Sequence, residues 1–180
     1  MAMPVMVPQY TVDDLDGFPE DGNRYELLDG MLLVTPAPGR FHQVIAARLI
    51  HYLSEPLVRP NLGKVAGPGV IIRRPKTQLE PDVLVFPGHI AARSEWTDVS
   101  EHWLAIEVFS RSSRMYDREF KRDAYLALGV KEVWLVDPIA ETVEVSTSRG
   151  TFETHKDVIR WRVPSLDMIV SIDLKLLFAD

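Results

Sequence analysis

Two acidic residues interrupt two of the most apolar segments of the chain. Asp82 lies within LEPDVLVF at 79–86, and Glu107 lies within WLAIEVF at 103–109. Because successive side chains of a β-strand point to opposite faces, each carboxylate would share a face with apolar neighbours. A buried carboxylate is costly unless it is paired, hydrogen-bonded or bound to a metal. The two segments therefore predict neighbouring strands whose carboxylates share a cation.

Both carboxylates also have a purely structural explanation. Asp82 could begin its strand at the edge of the sheet and cap a local N–H group. Glu107 could pair with Arg111 or Arg114, which follow closely in the chain. Acids at strand ends are common, and ion pairs at a protein surface need no function. The local pattern leaves both explanations open.

Strand and helix patterns alternate along the rest of the chain. Asp29-Gly30 stands between two apolar runs, which is typical of a tight β-hairpin turn. The predicted elements are a short helix from residue 11, a hairpin over 24–36, a helix over 41–57, a β-like segment over 64–74 with a bend at Pro68 and Gly69, a strand over 79–86 bounded by Pro81 and Pro87, strands over 103–109, 132–136 and 142–146, and a second long helix over 114–128. This order predicts one α/β (α+β) domain with helices flanking a central mixed β-sheet. The domain is expected over residues 11–180, after an irregular segment at 1–10.

The composition narrows the class of protein. The chain has 180 residues, 46% of them hydrophobic, which suits one domain with a substantial core. The absence of cysteine excludes disulfide scaffolds, thiolate zinc sites and cysteine nucleophiles. We expect a cytoplasmic protein without a membrane anchor, because neither a signal peptide nor a membrane-spanning run is visible. The formal charge of -6 argues against coating of duplex nucleic acid, although carboxylates around a metal can still act on nucleic acid.

Three further polar residues are candidates for the same site. Lys121 follows Asp117 by four residues, the spacing of an ordinary helical ion pair. Alternatively, the helix swings Lys121 toward the carboxylates, where a lysine of lowered pKa could orient or deprotonate a metal-bound water. Glu26 lies in the predicted hairpin and would otherwise be an exposed residue facing solvent. His42 opens the first long helix, and its local pattern favours a residue without a ligand role.

The ordered motifs resemble those of the Uma-type putative restriction endonuclease family, a branch of the PD-(D/E)XK nuclease superfamily. In order they are RYELLDG at 24–30, His42, LEPDVLVF at 79–86, LAIEVFS at 104–110, Asp117 and Lys121 in DREFK, and GVKEVWLVDP at 129–138. They extend over nearly the whole chain from residue 11. The resemblance implies a restriction-endonuclease-like core and a metal-dependent enzyme that hydrolyses DNA phosphodiester bonds.

The resemblance also implies a role for each motif residue. Asp82, Glu107 and Glu26 would hold Mg²⁺ or Mn²⁺, which prefer oxygen ligands. Lys121 would hold or activate the attacking water. The superfamily lysine usually lies two residues after the acid, where this chain has Phe109. The family resembled here carries its lysine on the following helix, which is the position of Lys121.

Basic residues predict where the DNA substrate would bind. A local basic set follows the Glu107 strand, and the residues expected to contact the substrate are His42, Arg114 and Arg118. The alternative for any one of these arginines is ordinary solvated helix surface. A homodimer would supply two sites for two DNA strands, and cyclic dimers are the commonest oligomers.

Two other functions stay open. A non-catalytic nucleic-acid-binding or interaction module of the same fold, with a vestigial site, agrees with the net negative charge. A carboxylate hydrolase such as a glycosidase would use two acids as acid and base and would need no divalent metal. The order of the motifs favours the nuclease over the glycosidase.

Overall fold

The structure is a computed structural model that describes residues 9–109 and 120–179. The helices are α1 (Arg40–Leu57), α2 (Arg122–Ala127) and α3 (Leu174–Phe178), with short 3-10 helices at Val12–Gly17 and Trp96–Asp98. The strands are β1 (Arg24–Leu28), β2 (Met31–Thr35), β3 (Gly63–Ala66), β4 (Ile71–Arg73), β5 (Thr77–Leu79), β6 (Val83–Pro87), β7 (Leu104–Val108), β8 (Glu132–Asp137), β9 (Thr142–Ser146), β10 (Glu153–His155), β11 (Val158–Arg162) and β12 (Ile169–Asp173). In these two ranges, no helix is long and apolar enough to cross a membrane.

The predicted central mixed sheet is confirmed. Within the described residues it has six strands in the order β10-β9-β8-β7-β6-β3. Strands β7 and β8 are parallel, and the other neighbouring pairs are antiparallel. A second sheet has the order β2-β1-β5-β4, and β11 pairs with β12. The fold class is therefore α+β, with helices flanking a mixed sheet.

Strand β6 shows why the sheet is buried on both faces. Val83 and Val85 pack into one core cluster together with apolar residues of α1. Leu84 and Phe86 point the other way, into a second cluster that includes Tyr125. Because neighbouring side chains alternate between the faces, a continuous apolar run is what a strand covered on both sides requires.

The predicted hairpin is also confirmed. Strands β1 and β2 pair antiparallel up to Leu28 and Met31, which flank the turn. The two turn residues have positive φ angles, 51° at Asp29 and 84° at Gly30. A two-residue type I′ turn needs this conformation at both positions, and Asp-Gly adopts it readily. The turn therefore sets the register that turns Glu26 into the protein.

The predicted strand over 79–86 is wrong as a single element. It divides into β5 and β6, which belong to different sheets. The break falls at Pro81, which has no N–H to donate to a ladder. Asp82 therefore lies just before β6 rather than inside a strand. The β-like segment over 64–74 divides into β3 and β4, and the division falls at the bend predicted from Pro68 and Gly69.

The second long helix can be compared only in part. Residues 114–119 of the predicted helix lie outside the described residues. The described part begins at Phe120, and regular α-helix follows as α2. Lys121 immediately precedes α2, so the start of this short helix determines where the lysine lies.

Gly69 lies in the loop between β3 and β4 and packs closely against the segment that leads into β6. Its N–H donates to the carbonyl oxygen of Pro81 at 3.0 Å. A Cβ at Gly69 would lie 2.3 Å from the Cβ of Leu84, which cannot move without the β6 backbone. We expect Gly69→Ala to lower the free energy of unfolding by about 1–3 kcal/mol, as overpacking usually does.

Urea denaturation of the wild type and the Gly69→Ala variant measures this loss. Gly17→Ala is the matched control, because a Cβ at Gly17 meets no atom within 4 Å. Equal stability of the Gly69→Ala variant and the wild type would contradict the proposed close packing.

Candidate active site

Four predicted site residues meet in the interior although they come from distant parts of the chain. Glu26 lies on β1, Asp82 before β6, Glu107 on β7, and Lys121 before α2. The exposed fractions are 0% for Glu26, 7% for Asp82, 1% for Glu107 and 2% for Lys121. Ionisable groups this deeply buried require partners. Lys121 pairs with both glutamates, and Arg24 connects Asp82 to Glu26, so the structure brings the four residues into one buried ionic network.

Lys121 joins the two glutamates. Its ammonium nitrogen Nζ donates to Glu26 Oε2 at 2.7 Å and to Glu107 Oε1 at 3.1 Å. The hydroxyl of Tyr125 also donates to Glu107 Oε1, at 2.5 Å. The N–H of Glu80 donates to Glu26 Oε1 at 2.7 Å. The two carboxylates therefore converge on the ammonium of Lys121.

Burial and neighbouring charges also control the protonation of Tyr125. Burial raises the pKa of the Tyr125 hydroxyl well above its usual value of 10.0. The negative charges of Glu107 and Glu26 raise the pKa further. The hydroxyl therefore keeps its proton and acts as a hydrogen-bond donor to Glu107.

Asp82 lies in a second part of the network with partners of its own. Arg24 Nη1 donates to Asp82 Oδ1 at 3.0 Å, and His42 Nε2 lies 3.0 Å from Asp82 Oδ2. The N–H of Val108 donates to Asp82 Oδ2 at 2.8 Å. This last bond holds Asp82 beside the backbone that follows Glu107. Arg24 Nε lies 3.6 Å from Glu26 Oε2 and so connects the two parts.

The surroundings of Asp82 favour its ionised form. Burial alone would raise the pKa of this carboxyl group. The hydrogen bond with His42, the charge of Arg24 and the N–H of Val108 act in the opposite direction, and together they hold the pKa below its usual 3.8. Asp82 is therefore an anion, which is the form that binds a metal ion.

The structure decides several alternatives that the local pattern left open. Glu26 is fully buried, so the solvent-facing alternative is wrong for this residue. Asp82 accepts a backbone N–H bond from Val108 of β7 and not from a local residue, and it is also bonded to Arg24 and His42. His42 contacts Asp82, one of the three carboxylates predicted to hold the metal ion.

Four residues named in the sequence analysis lie outside the described residues. They are Asp117, Arg111 and the two predicted substrate contacts Arg114 and Arg118.

Two residues of the network were not predicted from the sequence. Arg24 lies two positions before Glu26 on β1, and side chains two apart share a face of a strand. Tyr125 lies four positions after Lys121, the spacing of helical neighbours. The spacing could have identified both residues once Glu26 and Lys121 were accepted as buried.

The candidate metal ligands agree with a hard cation in their chemistry. All three are carboxylates, whose oxygens are the ligands that Mg²⁺ and Mn²⁺ prefer. Within residues 9–109 and 120–179, no three His, Cys, Asp or Glu side chains lie close enough together to hold a metal ion. The ammonium of Lys121 lies between Glu26 and Glu107 instead. A bound ion would therefore have to exchange with Lys121 as the partner of these glutamates.

A cavity of about 610 Å³ opens beside Asp82. Its walls come from β1, from the segment before it and from α1, and they include Arg24 and His42. The cavity therefore gives a molecule from solvent a route to one of the buried carboxylates.

Comparison with known proteins bears on the fold and on the family of this chain. A search of curated proteins found no match. The crystal structure of a putative nuclease belonging to DUF820 from Anabaena variabilis is similar, with a TM-score of 0.73 and 19% sequence identity over 94% of this chain and 97% of that chain. At this identity the likeness concerns the fold. The family model named Uma2, described as putative restriction endonuclease, matches residues 12–173. The chain therefore belongs to the Uma2 family of putative restriction endonucleases.

Proposed function

We propose that this protein is a metal-dependent endonuclease that hydrolyses phosphodiester bonds of DNA. The observation that carries the proposal is the buried network of Asp82, Glu107, Glu26 and Lys121. Burying three carboxylates is costly for a purely structural purpose, because apolar side chains of similar volume often stabilise a core at least as well. Membership of a family of putative restriction endonucleases supports the same reaction.

Three carboxylates would together hold the metal ion. Asp82, Glu107 and Glu26 would bind Mg²⁺ or Mn²⁺. When bound, such an ion lowers the pKa of a water ligand and neutralises negative charge that develops on the phosphate. Tyr125 donates to Glu107 and orients it, and the N–H of Val108 does the same for Asp82.

Lys121 would act on the attacking water. Its ammonium is held by Glu26 and Glu107 at hydrogen-bond distance, so it lies next to the carboxylates proposed as ligands. With an ion bound by the glutamates, the ammonium of Lys121 could leave one of them and would orient the water that attacks phosphorus. A homodimer would present a second such site to the DNA.

Cleavage of supercoiled plasmid tests the proposal directly. We expect nicking with Mg²⁺ or Mn²⁺, no nicking with excess chelator, and no nicking by the Glu107→Gln variant. Glu132→Gln is the matched control, because Glu132 lies on the neighbouring strand, accepts a bond from Trp134 that an amide oxygen can also accept, and is outside the network. Cleavage that persists in chelator or in the Glu107→Gln variant would exclude this mechanism.

One observation favours a second function, a non-catalytic nucleic-acid-binding or interaction module with a vestigial site. Glu26 and Glu107 already form ion pairs with Lys121, and Asp82 is already bonded to Arg24 and His42. Such a module would bind no Mn²⁺ even when DNA is present. Calorimetric titration of Mn²⁺ with and without DNA separates it from the enzyme.

A further inference from the structure

The carboxylates of the candidate active site lie below the protein surface. Glu26 and Glu107 are almost completely buried, and Asp82 is buried but lines the cavity. The phosphates of a stacked duplex lie on the outside of a broad rod, whereas the cavity is a recess. Enzymes that bind a base inside such a recess to modify it act on a single strand or move the nucleotide out of the stack. The cavity next to Asp82 is therefore suited to one unstacked nucleotide.

Two aromatic rings line this cavity. The centroids of Phe18 and Tyr25 are 5.0 Å apart, with 31° between the ring planes. Tyr10 packs edge-on against Phe18, and the hydroxyl of Tyr25 donates to Asp21 at 2.8 Å. Both rings are thus held in position before any ligand arrives. Fixed aromatic rings beside a groove are a usual platform for unpaired bases, because every base has a π face.

The charges of the cavity favour a base over a phosphate inside it. Asp16, Glu20 and Glu80 line the cavity together with Asp82. Arg24 also lines it but already bonds Asp82 and the carbonyl oxygen of Glu80. Carboxylates repel a phosphate but accept hydrogen bonds from the amino groups of bases. The uncharged part of a nucleotide is therefore the part that this cavity accommodates.

We propose that the substrate is single-stranded DNA, or an unpaired segment of DNA, and that one base enters this cavity and stacks on Phe18 and Tyr25. The assignment rests on the proposed endonuclease function, because it places the phosphate next to that base near Asp82. Phe18 and Tyr25, which lie outside the ionic network, would then be binding residues for the base.

Fluorescence anisotropy measures the binding without requiring cleavage. The probe is a short fluorescein-labelled DNA of mixed sequence, used as a single strand and as a blunt duplex, in Ca²⁺ and again in chelator. We expect the wild type to bind the single strand at least about tenfold more tightly than the duplex, the scale of one stacked base. Phe18→Leu, which keeps an apolar side chain but removes the ring, is expected to weaken single-strand binding about fivefold or more.

A second variant and a control separate binding from folding. Ala47 is exposed on α1 and lines the cavity, so Ala47→Leu narrows the cavity without disturbing the core and is expected to weaken binding as well. Phe152→Leu is the control, because Phe152 is exposed near β10, at the opposite edge of the central sheet from β3. Circular dichroism verifies that all variants are folded.

The outcomes are distinct for the two proposals. Duplex binding as tight as single-strand binding, or wild-type affinity in both cavity variants, would overturn the base-binding cavity even if plasmid cleavage is observed. Single-strand binding that both variants weaken, without any metal-dependent cleavage, would support the cavity assignment while the endonuclease proposal fails. The absence of binding to either form of DNA would overturn the cavity assignment.

Discussion

The Asp82→Asn variant is expected to lose both Mn²⁺ binding and DNA cleavage. Asparagine keeps the shape of the side chain but removes the negative charge that attracts the ion. Because metal-dependent hydrolysis relies on that ion, we expect cleavage to fall by at least about a thousandfold. Calorimetric titration with Mn²⁺ and the plasmid assay measure the two losses. Asp173→Asn is the control, since this aspartate caps α3 outside the network and asparagine also caps helices.

Asparagine is a sharper test than alanine at this position. Removing the side chain altogether would leave Arg24, His42 and the N–H of Val108 without their shared acceptor. A buried cation without its partner destabilises a fold strongly, so an alanine variant could lose activity by unfolding. Saturable Mn²⁺ binding by a folded Asp82→Asn protein, with wild-type affinity, would remove Asp82 from the ligand set.

The Lys121→Met variant is expected to lose about 3–5 kcal/mol of unfolding free energy, as when one partner of a buried ion pair is removed. Methionine has a similar length but no charge, so Glu26 and Glu107 would share a buried site without the ammonium between them. Urea denaturation followed by tryptophan fluorescence measures the loss. Lys175→Met is the control, because the Lys175 side chain is 81% exposed.

Mn²⁺ gives this variant a second readout. If a divalent ion replaces the lysine charge between the glutamates, Mn²⁺ should raise the Tm of Lys121→Met more than that of the wild type, because ligands stabilise the state that binds them. Wild-type stability of Lys121→Met without metal would contradict the buried ionic network. A Tm that does not respond to Mn²⁺ would contradict the exchange of lysine for a metal ion.

Features that depend on neighbouring residues were predictable from the sequence. The β1–β2 hairpin follows from Asp29-Gly30, because these residue types accept the positive φ angles of a two-residue turn. The α1 helix follows from apolar residues at helical spacing, and the structure begins it one residue earlier, at Arg40. The mixed sheet follows from the order of the elements. In contrast, Pro81 was predicted as a strand boundary, but the change of sheet at Pro81 was not, because β-like residues on both sides concealed it.

The sequence by itself determined which residue types were available, their order and the local conformations that present them. Only the tertiary structure decided that Glu26 is buried and that Lys121, 95 positions later, bonds it. The physical reason is that a local pattern reports the preference of a few neighbouring residues, whereas the cost of burying a charge depends on partners that the folded chain brings from elsewhere. Arg24 and Tyr125 joined the network for the same reason.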